Sequence, residues 1–574
     1  MKINDIDNGT VAGLVSSLPL VGLASGMLNN EQMISDTNTF ISTWKTNASV
    51  ALTTTVELPL QSTGTYNFWV DWGDGRKDYV TSYTQIYVRE TVARTHTYRT
   101  PGTYTIKITG LIRGWSFVIT ANERPKLLSI ERFGCLEVLD DTLNGVHFSG
   151  CTNLDLLNVK DTLSTKYLTY FLGFFQSCAS LKVNLINNWD VSRATNMQAM
   201  FQSATTFNQP IGNWDTSKVT TMNNMFNGAN AFNQTIDSWN ISAVTNMQSM
   251  FSVTPNFNQP LSNWERSDST MANVTTLSTM FNSSNFNQNI GNWNVSKVTS
   301  FINMFNNSTF NNGESADINN WNINTISSVT MLGTFQNNTV FNQPIGNWNT
   351  SQVTTMNTMF NGATAFNQPL SNWERVGSTL ANVTSFGSMF SNATNFNQPI
   401  GNWNTSKVNT MNAMFTGASA FKQDIGSWDI GLVTNFTNFM STKGRVSFPS
   451  IYLDAIYNGW SSRPSQSNLS ISFGTAKYTV ASMAGRATLI SRGWTIVDGL
   501  VTVSGTSNNA GLIRLTTTAA HAFTTGELIY VYGVTGTTNA NGTWSVFVVD
   551  ATTIQLNASV FNAAWISGGN IILA

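Results

Sequence analysis

Charge is what this chain of 574 residues has least of: Asp, Glu, Lys and Arg together make up 10% of it, and the formal net charge is −1. No basic run is present, so a nucleic-acid partner has no electrostatic footing, because clustered Lys and Arg on phosphates supply most of such affinity. Histidine is scarce too. His96, His147 and His521 lie in three different segments, and no Ser/His/Asp order, zinc spacing, phosphate loop or dinucleotide fingerprint accompanies them. The expectation is a non-enzyme with no cofactor and no metal. Three cysteines, Cys135, Cys151 and Cys178, are an odd number and define no disulfide framework; Cys151 and Cys178 read as small buried thiols. No run of about 20 strongly apolar residues occurs. Val11 to Leu28 is mildly apolar, interrupted by Pro19 and preceded by Asp5 and Asp7, which fits neither a secretory signal nor a spanning helix. Residues 1–42 are therefore expected to form an arm that packs on a partner, without membrane insertion.

What the chain has in abundance is repetition. Trp189, Trp214, Trp239, Trp264, Trp293, Trp321, Trp348, Trp373, Trp403 and Trp428 follow one another at steps of 25 to 30 residues. A sustained period in the twenties marks a repeat array whose units bury their apolar faces only against their neighbours. Within a unit, Val219, Met222 and Met225/Phe226 sit at i, i+3 and i+6/i+7, a spacing that predicts a short helix or 3₁₀ turn, with Ser217 as its cap. The segment from Phe207 to Trp214 is too short for a helix and predicts a short parallel strand. Phe207, Phe232, Phe257 and Phe286 should make one buried column, and Met222, Met247 and Met356 another. Two similar insertions follow Trp264 and Trp373, and a third runs from Phe310 to Asp317; such excursions often gather on a binding face.

The Trp-Asp-Thr-Ser-Lys-Val-Thr-Thr-Met-Asn-Asn-Met-Phe run that starts at Trp214 resembles the BspA-like leucine-rich repeats of bacterial surface proteins. That likeness implies a leucine-rich-repeat-like solenoid over 115–445, with 446–499 as its C-terminal cap. Trp69-Val-Asp71-Trp72-Gly73-Asp74-Gly75, His96-Thr-Tyr98 and Gly102-Thr-Tyr104 resemble a polycystic-kidney-disease (PKD) type domain and imply a β-sandwich over 43–114. Asp74 is expected to hold the turn rather than to join Asp71 in a Ca²⁺ site, because a hard cation needs six to eight oxygens. In 500–574, four β-type runs end a chain in which Ala519-Ala-His521-Ala-Phe523 and Asn541-Gly-Thr-Trp544 resemble a small β domain of phage fibre proteins.

The fold class expected is thus mainly β with short helices, a solenoid flanked by an N-terminal β-sandwich and a C-terminal small β domain. The resemblances imply a virion surface protein, a fibre or receptor-binding adhesin. Its partners would be other virion proteins through the arm, a host-cell receptor or polysaccharide, and further copies of itself. The alternatives are a bacterial cell-surface adhesin and a structural decoration. Polar residues repeated at unit spacing are the candidate binding row: Asn208, Gln209, Asn233, Gln234, Asn258, Gln259, Asn342, Gln343, Asn367 and Gln368. Amide donors and acceptors in register suit a neutral repetitive ligand, but they equally suit a ladder that satisfies the repeats' own backbone.

Overall fold

The computed structural model describes residues 36–48, 53–83, 94–118, 120–140, 146–323, 327–374 and 379–574. The expected arm falls outside them up to residue 35. The protein is mainly β, with two short α-helices and several 3₁₀ turns. At its start lie β1 (Phe40–Lys45), β2 (Thr55–Glu57), β3 (Leu60–Asp71), β4 (Lys77–Val80), β5 (Thr95–Thr97), β6 (Thr103–Trp115), β7 (Leu127–Arg132), β8 (Leu136–Leu139) and β9 (Ser164–Tyr167). One sheet runs β4-β3-β6-β1-β7, while β2 and β5 pair separately. Alternation along β3 and β6 turns Phe68, Val70, Ile106 and Ile108 inward.

This sheet crosses the expected boundary at 114/115. Strand β7 returns antiparallel to β1, pairing Ser42 with Ile130. Strand β8 adds parallel to the end of β6, and β9 adds parallel to β8. The antiparallel sheet thereby turns into a parallel ladder without a linker. A single apolar core accordingly extends from Phe40 to Ile572, with a second cluster inside the C-terminal β unit.

From residue 170 onward the ladder is reduced to single bridges: Tyr170 to Asn196, Asn196 to Thr221, Thr221 to Asn246, and so on to Asn435. It widens once, where β10 (Val329–Thr330) meets β11 (Val353–Thr355) in parallel. Two expectations are corrected here. The pairing residue is Thr221, between Val219 and Met222, whereas Phe207 to Trp214 forms no strand. Nor do Met222 to Ala229 form a helix. The N–H groups of Met222, Asn224, Phe226 and Gly228 donate to Asn246, Gln248, Met250 and Ser252 of the next unit at 2.8–3.0 Å. Those of Met225, Asn227 and Ala229 close turns three residues back. A helix would send every N–H back along itself; here each second one is spent on a neighbour. The turn at Thr216 is held by Asp215, whose Oδ1 accepts the Ser217 N–H at 3.0 Å, so Asp215 rather than Ser217 is the capping side chain.

This alternation demands a left-handed residue twice per unit, four positions apart, as at Asn224 (φ 58°) and Gly228 (φ 72°). Asn307, Asn337, Gly362, Asn392 and Gly417 meet the second requirement in other units, but Val253 meets it with φ 54° and an exposed β-branched side chain. Left-handed backbone costs a residue with a Cβ roughly 1–2 kcal/mol, and asparagine tolerates it best. Val253→Asn is expected to raise stability by about 1 kcal/mol; urea unfolding at an unchanged or lower midpoint would contradict this.

Side chains stack like on like. The Phe207, Phe232, Phe257 and Phe286 rings follow at centroid distances of 5.9, 5.7 and 6.0 Å, all fully buried. A second column runs Phe201, Phe226, Phe251, Phe281 and Phe305 at 5.6–5.8 Å. Met222, Met247 and Met356 are buried at one phase. From Trp214 onward each repeat Trp also reaches one unit back with its indole N–H: Trp214 to the Ile186 carbonyl, Trp239 to Ile211 and Trp264 to Ile236, at 2.9–3.1 Å.

The ladder ends in α1 (Ser450–Ser461), β12 (Ser470–Ser472), α2 (Met483–Ser491) and β13 (Thr495–Val497). Trp460 on α1 continues the indole series by donating to the Ile425 carbonyl at 3.1 Å. Beyond it β14 (Val501–Asn509), β15 (Leu512–Thr517), β16 (Leu528–Tyr532), β17 (Gly542–Val548), β18 (Thr553–Leu556) and β19 (Asn570–Leu573) close a small barrel. Arg445 joins it to the last repeat through Glu527 and the Ala522 carbonyl.

Beside this junction the buried Lys443 ammonium donates to the carbonyls of Ala418, Ser419 and Phe421. Burial pushes its pKa from the ordinary 10.5 down to about 7. The folded chain then sheds a proton that the unfolded chain keeps, so stability should rise with pH between about 7 and 9, above which the buried Cys135, Cys151 and Cys178 thiols, pushed up from the ordinary 9.0, act the other way. Lys443→Met should flatten part of that rise; the remainder belongs to Lys477, whose pKa burial pushes down to about 8. A wild-type stability that falls over this interval would contradict the assignment.

Candidate functional site: the polar face of the repeats

The amides expected as a binding row are mostly engaged with one another. Asn208 Oδ1 accepts the Asn233 N–H at 2.9 Å and Gln234 Nε2 at 3.0 Å. Asn233 Oδ1 does the same for Asn258 and Gln259 at 3.1 and 3.0 Å, and Asn342 Oδ1 for Asn367 and Gln368 at 2.9 and 3.2 Å. Asn258 and Asn367 pass the bond on to Asn287 and Asn397. Gln209 and Gln343 make no such bond among the described residues. All ten are half-buried except Asn258, which is exposed. The chemistry that suits a ligand is here used first on the next unit's backbone N–H.

The row that does face outward is one the sequence reasoning passed over. The residue before each repeat Trp is exposed while the Trp itself is buried: Asn188, Asn213, Ser238, Asn263, Asn292, Asn320, Asn347, Asn372, Asn402 and Ser427. Its polar character in unit after unit, next to an invariably buried neighbour in this chain, was the available signal. Its side chains also tie adjacent units; Asn292 Nδ2 donates to the Ser262 carbonyl at 2.7 Å and Asn402 Nδ2 to the Ser371 carbonyl at 3.0 Å.

On this face, Pro260, Ser262, Gln288, Asn289, Asn292 and Asp317, from three consecutive units, line an open cleft of about 250 Å³. The Phe310–Asp317 insertion supplies its far wall through two 3₁₀ turns, Asn312–Glu314 and Ala316–Asn320. Asn289 Nδ2 donates to Asp317 Oδ2 at 3.2 Å across the cleft.

The paired insertions are built alike, each pinned by the glutamate that follows its Trp. Glu265 accepts from Thr270 Oγ1, the Met271 N–H and the Asn294 N–H at 2.8, 3.0 and 3.2 Å. Glu374 accepts from Thr379 Oγ1, the Leu380 N–H and the Asn404 N–H at 3.0, 2.8 and 2.9 Å; residues 375–378 of that insertion lie outside the described set. Hydrogen bonds to a charged group contribute about 1.5–3 kcal/mol each, less when shared. Glu265→Ala should therefore cost about 2–3 kcal/mol, read by chemical unfolding, and Glu265→Gln less; a loss under about 0.5 kcal/mol would show that the corner is held otherwise.

The remaining candidates from the sequence serve local structure. Asp71 Oδ1 accepts the Gly73 N–H and Asp74 Oδ1 the Arg76 N–H, at 3.0 and 3.1 Å, while Asp74 Oδ2 meets His96 Nε2 at 2.8 Å. Partial burial raises the Asp74 pKa, but the bonds from His96 and Arg76 outweigh it and hold the carboxyl below its usual range. His147 Nδ1 lies 2.7 Å from the Trp115 carbonyl, and His521 Nε2 lies 2.9 Å from that of Asp550; the three histidines do not converge. Cys135, Cys151 and Cys178 are free and buried, and burial pushes the Cys151 thiol well above its ordinary pKa. Among the described residues no cluster of three or more His, Cys, Asp or Glu could hold a metal ion. No helix among them is long and apolar enough to cross a membrane.

A family model described as "Mycoplasma protein of unknown function, DUF285" matches residues 169–273, 267–373 and 377–448. These are the Trp-marked units and lie within the stretch from Thr169 to Phe448. No curated protein and no solved structure matches the chain.

Proposed function

We propose that the protein is a non-enzymatic adhesin whose repeats form a leucine-rich-repeat-like solenoid of the BspA-like kind, presenting a polar edge to a neutral host-surface glycan. The observation that carries this reading is the exposed row from Asn188 to Ser427, in which amides and hydroxyls recur at unit spacing on a scaffold fixed by stacked Phe and Trp columns. A ligand that repeats its own hydrogen-bonding groups can meet such a row at several places at once, and a rigid row loses little entropy on binding. Low charge supports a neutral partner over nucleic acid.

The setting proposed is a phage virion, with the PKD-like sandwich and the fibre-like barrel as flanking modules. Residues 1–35 would anchor the protein to other virion proteins or to further copies of itself, since their Val, Leu and Met would otherwise stay exposed. The second reading, a bacterial cell-surface adhesin, is favoured by the likeness to a family described from Mycoplasma.

The test measures adsorption of the purified full chain to intact host cells and to envelope polysaccharide stripped from them. Saturable adsorption that free polysaccharide competes away is expected; adsorption to neither would remove the adhesin reading. Deleting residues 1–35 should leave the fold intact and abolish incorporation into particles. Normal occupancy of the truncated chain in particles would refute the anchor.

A further inference from the structure

The Phe310–Asp317 insertion leaves the repeat path and returns across its neighbour, so that Asp317 lies directly over Gly291. A Cβ built on Gly291 would sit 2.4 Å from Asp317 Cβ and 2.5 Å from its carbonyl carbon, so any larger residue there displaces the wall. The wall is fixed at its other end by Asn312, whose Oδ1 accepts the Ile290 N–H at 2.9 Å. A built cleft results, and its lining carries no positive charge.

The polar groups that remain for a ligand are both donors and acceptors, because each amide nitrogen that bonds a neighbour keeps a second N–H. Asn292 spends one Nδ2 hydrogen on the Ser262 carbonyl, Gln288 one Nε2 hydrogen on Asn258 Oδ1, and Asn289 one Nδ2 hydrogen on Asp317 Oδ2. Asn292 Oδ1, Gln288 Oε1 and Asp317 Oδ1 have no partner among the described residues. Such a set calls for a ligand whose groups both donate and accept, as sugar hydroxyls do. A phosphate or sulfate would face a carboxylate with no cation beside it, and one carboxylate is too few for a calcium site. The volume is below the ~300–1,000 Å³ of drug-sized sites, and Pro260 offers one apolar wall for a ring face.

We propose that this cleft is a subsite for one neutral sugar ring, whose hydroxyls donate to Asp317, Asn292 and Gln288. This rests on the reading that the repeat face binds a glycan, and narrows it to one place in the array. The test titrates the full chain, by calorimetry, with neutral oligomers of glucose, galactose and N-acetylglucosamine. One of these is expected to bind. Asp317→Ala, which removes the carboxylate, and Gly291→Ala, which moves the wall while keeping every polar group, should each weaken it at least tenfold. Val446→Ala, at an exposed residue outside both the row and the cleft lining, should change it less than twofold. Unfolding curves establish that each variant is folded.

If no oligomer binds the wild-type chain, the glycan function and the subsite fall together. Binding that survives in both cleft variants overturns the subsite alone. Displacement of the sugar by a simple primary amine at equal concentration overturns the assignment of a neutral ligand.

Discussion

Phe232→Ala is expected to cost roughly 3–5 kcal/mol, the range for truncating a fully buried aromatic side chain. Its ring is covered on both faces within its own column, by Phe207 at 5.9 Å and Phe257 at 5.7 Å, and packs on Phe226 at 3.9 Å. Neighbouring units are joined at their edges by backbone bonds, so they cannot slide together to refill the space, and the cavity term should persist. In a linear array each unit touches only its neighbours, so the loss falls on two interfaces at once. Chemical unfolding followed by tryptophan fluorescence should show it, because Trp239 lies 6.3 Å from Phe226 and reports on the same layer. A cost below about 1 kcal/mol would remove the column from the account of stability.

The columns were legible in the sequence because ring stacking needs identical residues at identical phase, and a period shows that directly. Backbone conformation was less legible. Apolar residues at Val219, Met222 and Phe226 satisfy helical spacing, yet a chain that alternates local turns with bonds to the next unit buries the same positions. The left-handed pair Asn224 and Gly228 records the difference, but Ala199, Thr279 and Val253 occupy such positions elsewhere and carry no recognisable signature. That the sheet continues past 114/115 was illegible for another reason. Strand β7 lies past that point in the chain, and only its pairing with β1 makes it part of the sheet.

At the candidate site the difficulty was chemical. An asparagine that accepts a neighbour's N–H and one that greets a sugar are the same residue, so Asn233 could not be assigned from its type. Position in the unit was the better guide. The residue before each repeat Trp cannot turn inward, since the adjacent indole occupies the core. The Phe310–Asp317 insertion was visible as extra length, but that it closes over Gly291 and not over open solvent follows from the stacking, which places consecutive units in contact.

A chain ending at Arg445 is expected to accumulate as insoluble protein, because the last repeat has no polar outer face of its own. Phe436 stacks on Trp460 at 5.3 Å and lies 5.7 Å from Trp494, while Phe439 packs on Trp460 at 6.0 Å. Helix α1 turns Leu453, Ile456, Tyr457 and Trp460 onto that surface. Its Gly459 approaches Gly426 so closely that a Cβ would sit 2.1 Å from the Gly426 carbonyl oxygen. Polar bonds seal the joint: Trp460 Nε1 to the Ile425 carbonyl, Arg463 Nη1 to that of Gly426 at 2.8 Å, and Gln466 Nε2 to that of Gly431 at 2.6 Å. Repeat arrays need such an end piece, since an uncovered apolar layer is a template for association. In the full chain, Trp460→Ala should cost about 3–5 kcal/mol. Because the ladder runs through Phe436 to Ile471 and on to β13, the loss should first raise hydrogen exchange in residues 430–475, leaving 200–300 protected. A soluble, cooperatively unfolding chain of residues 1–445 would show that the repeats close themselves, and would reduce α1 to an ornament on a finished fold.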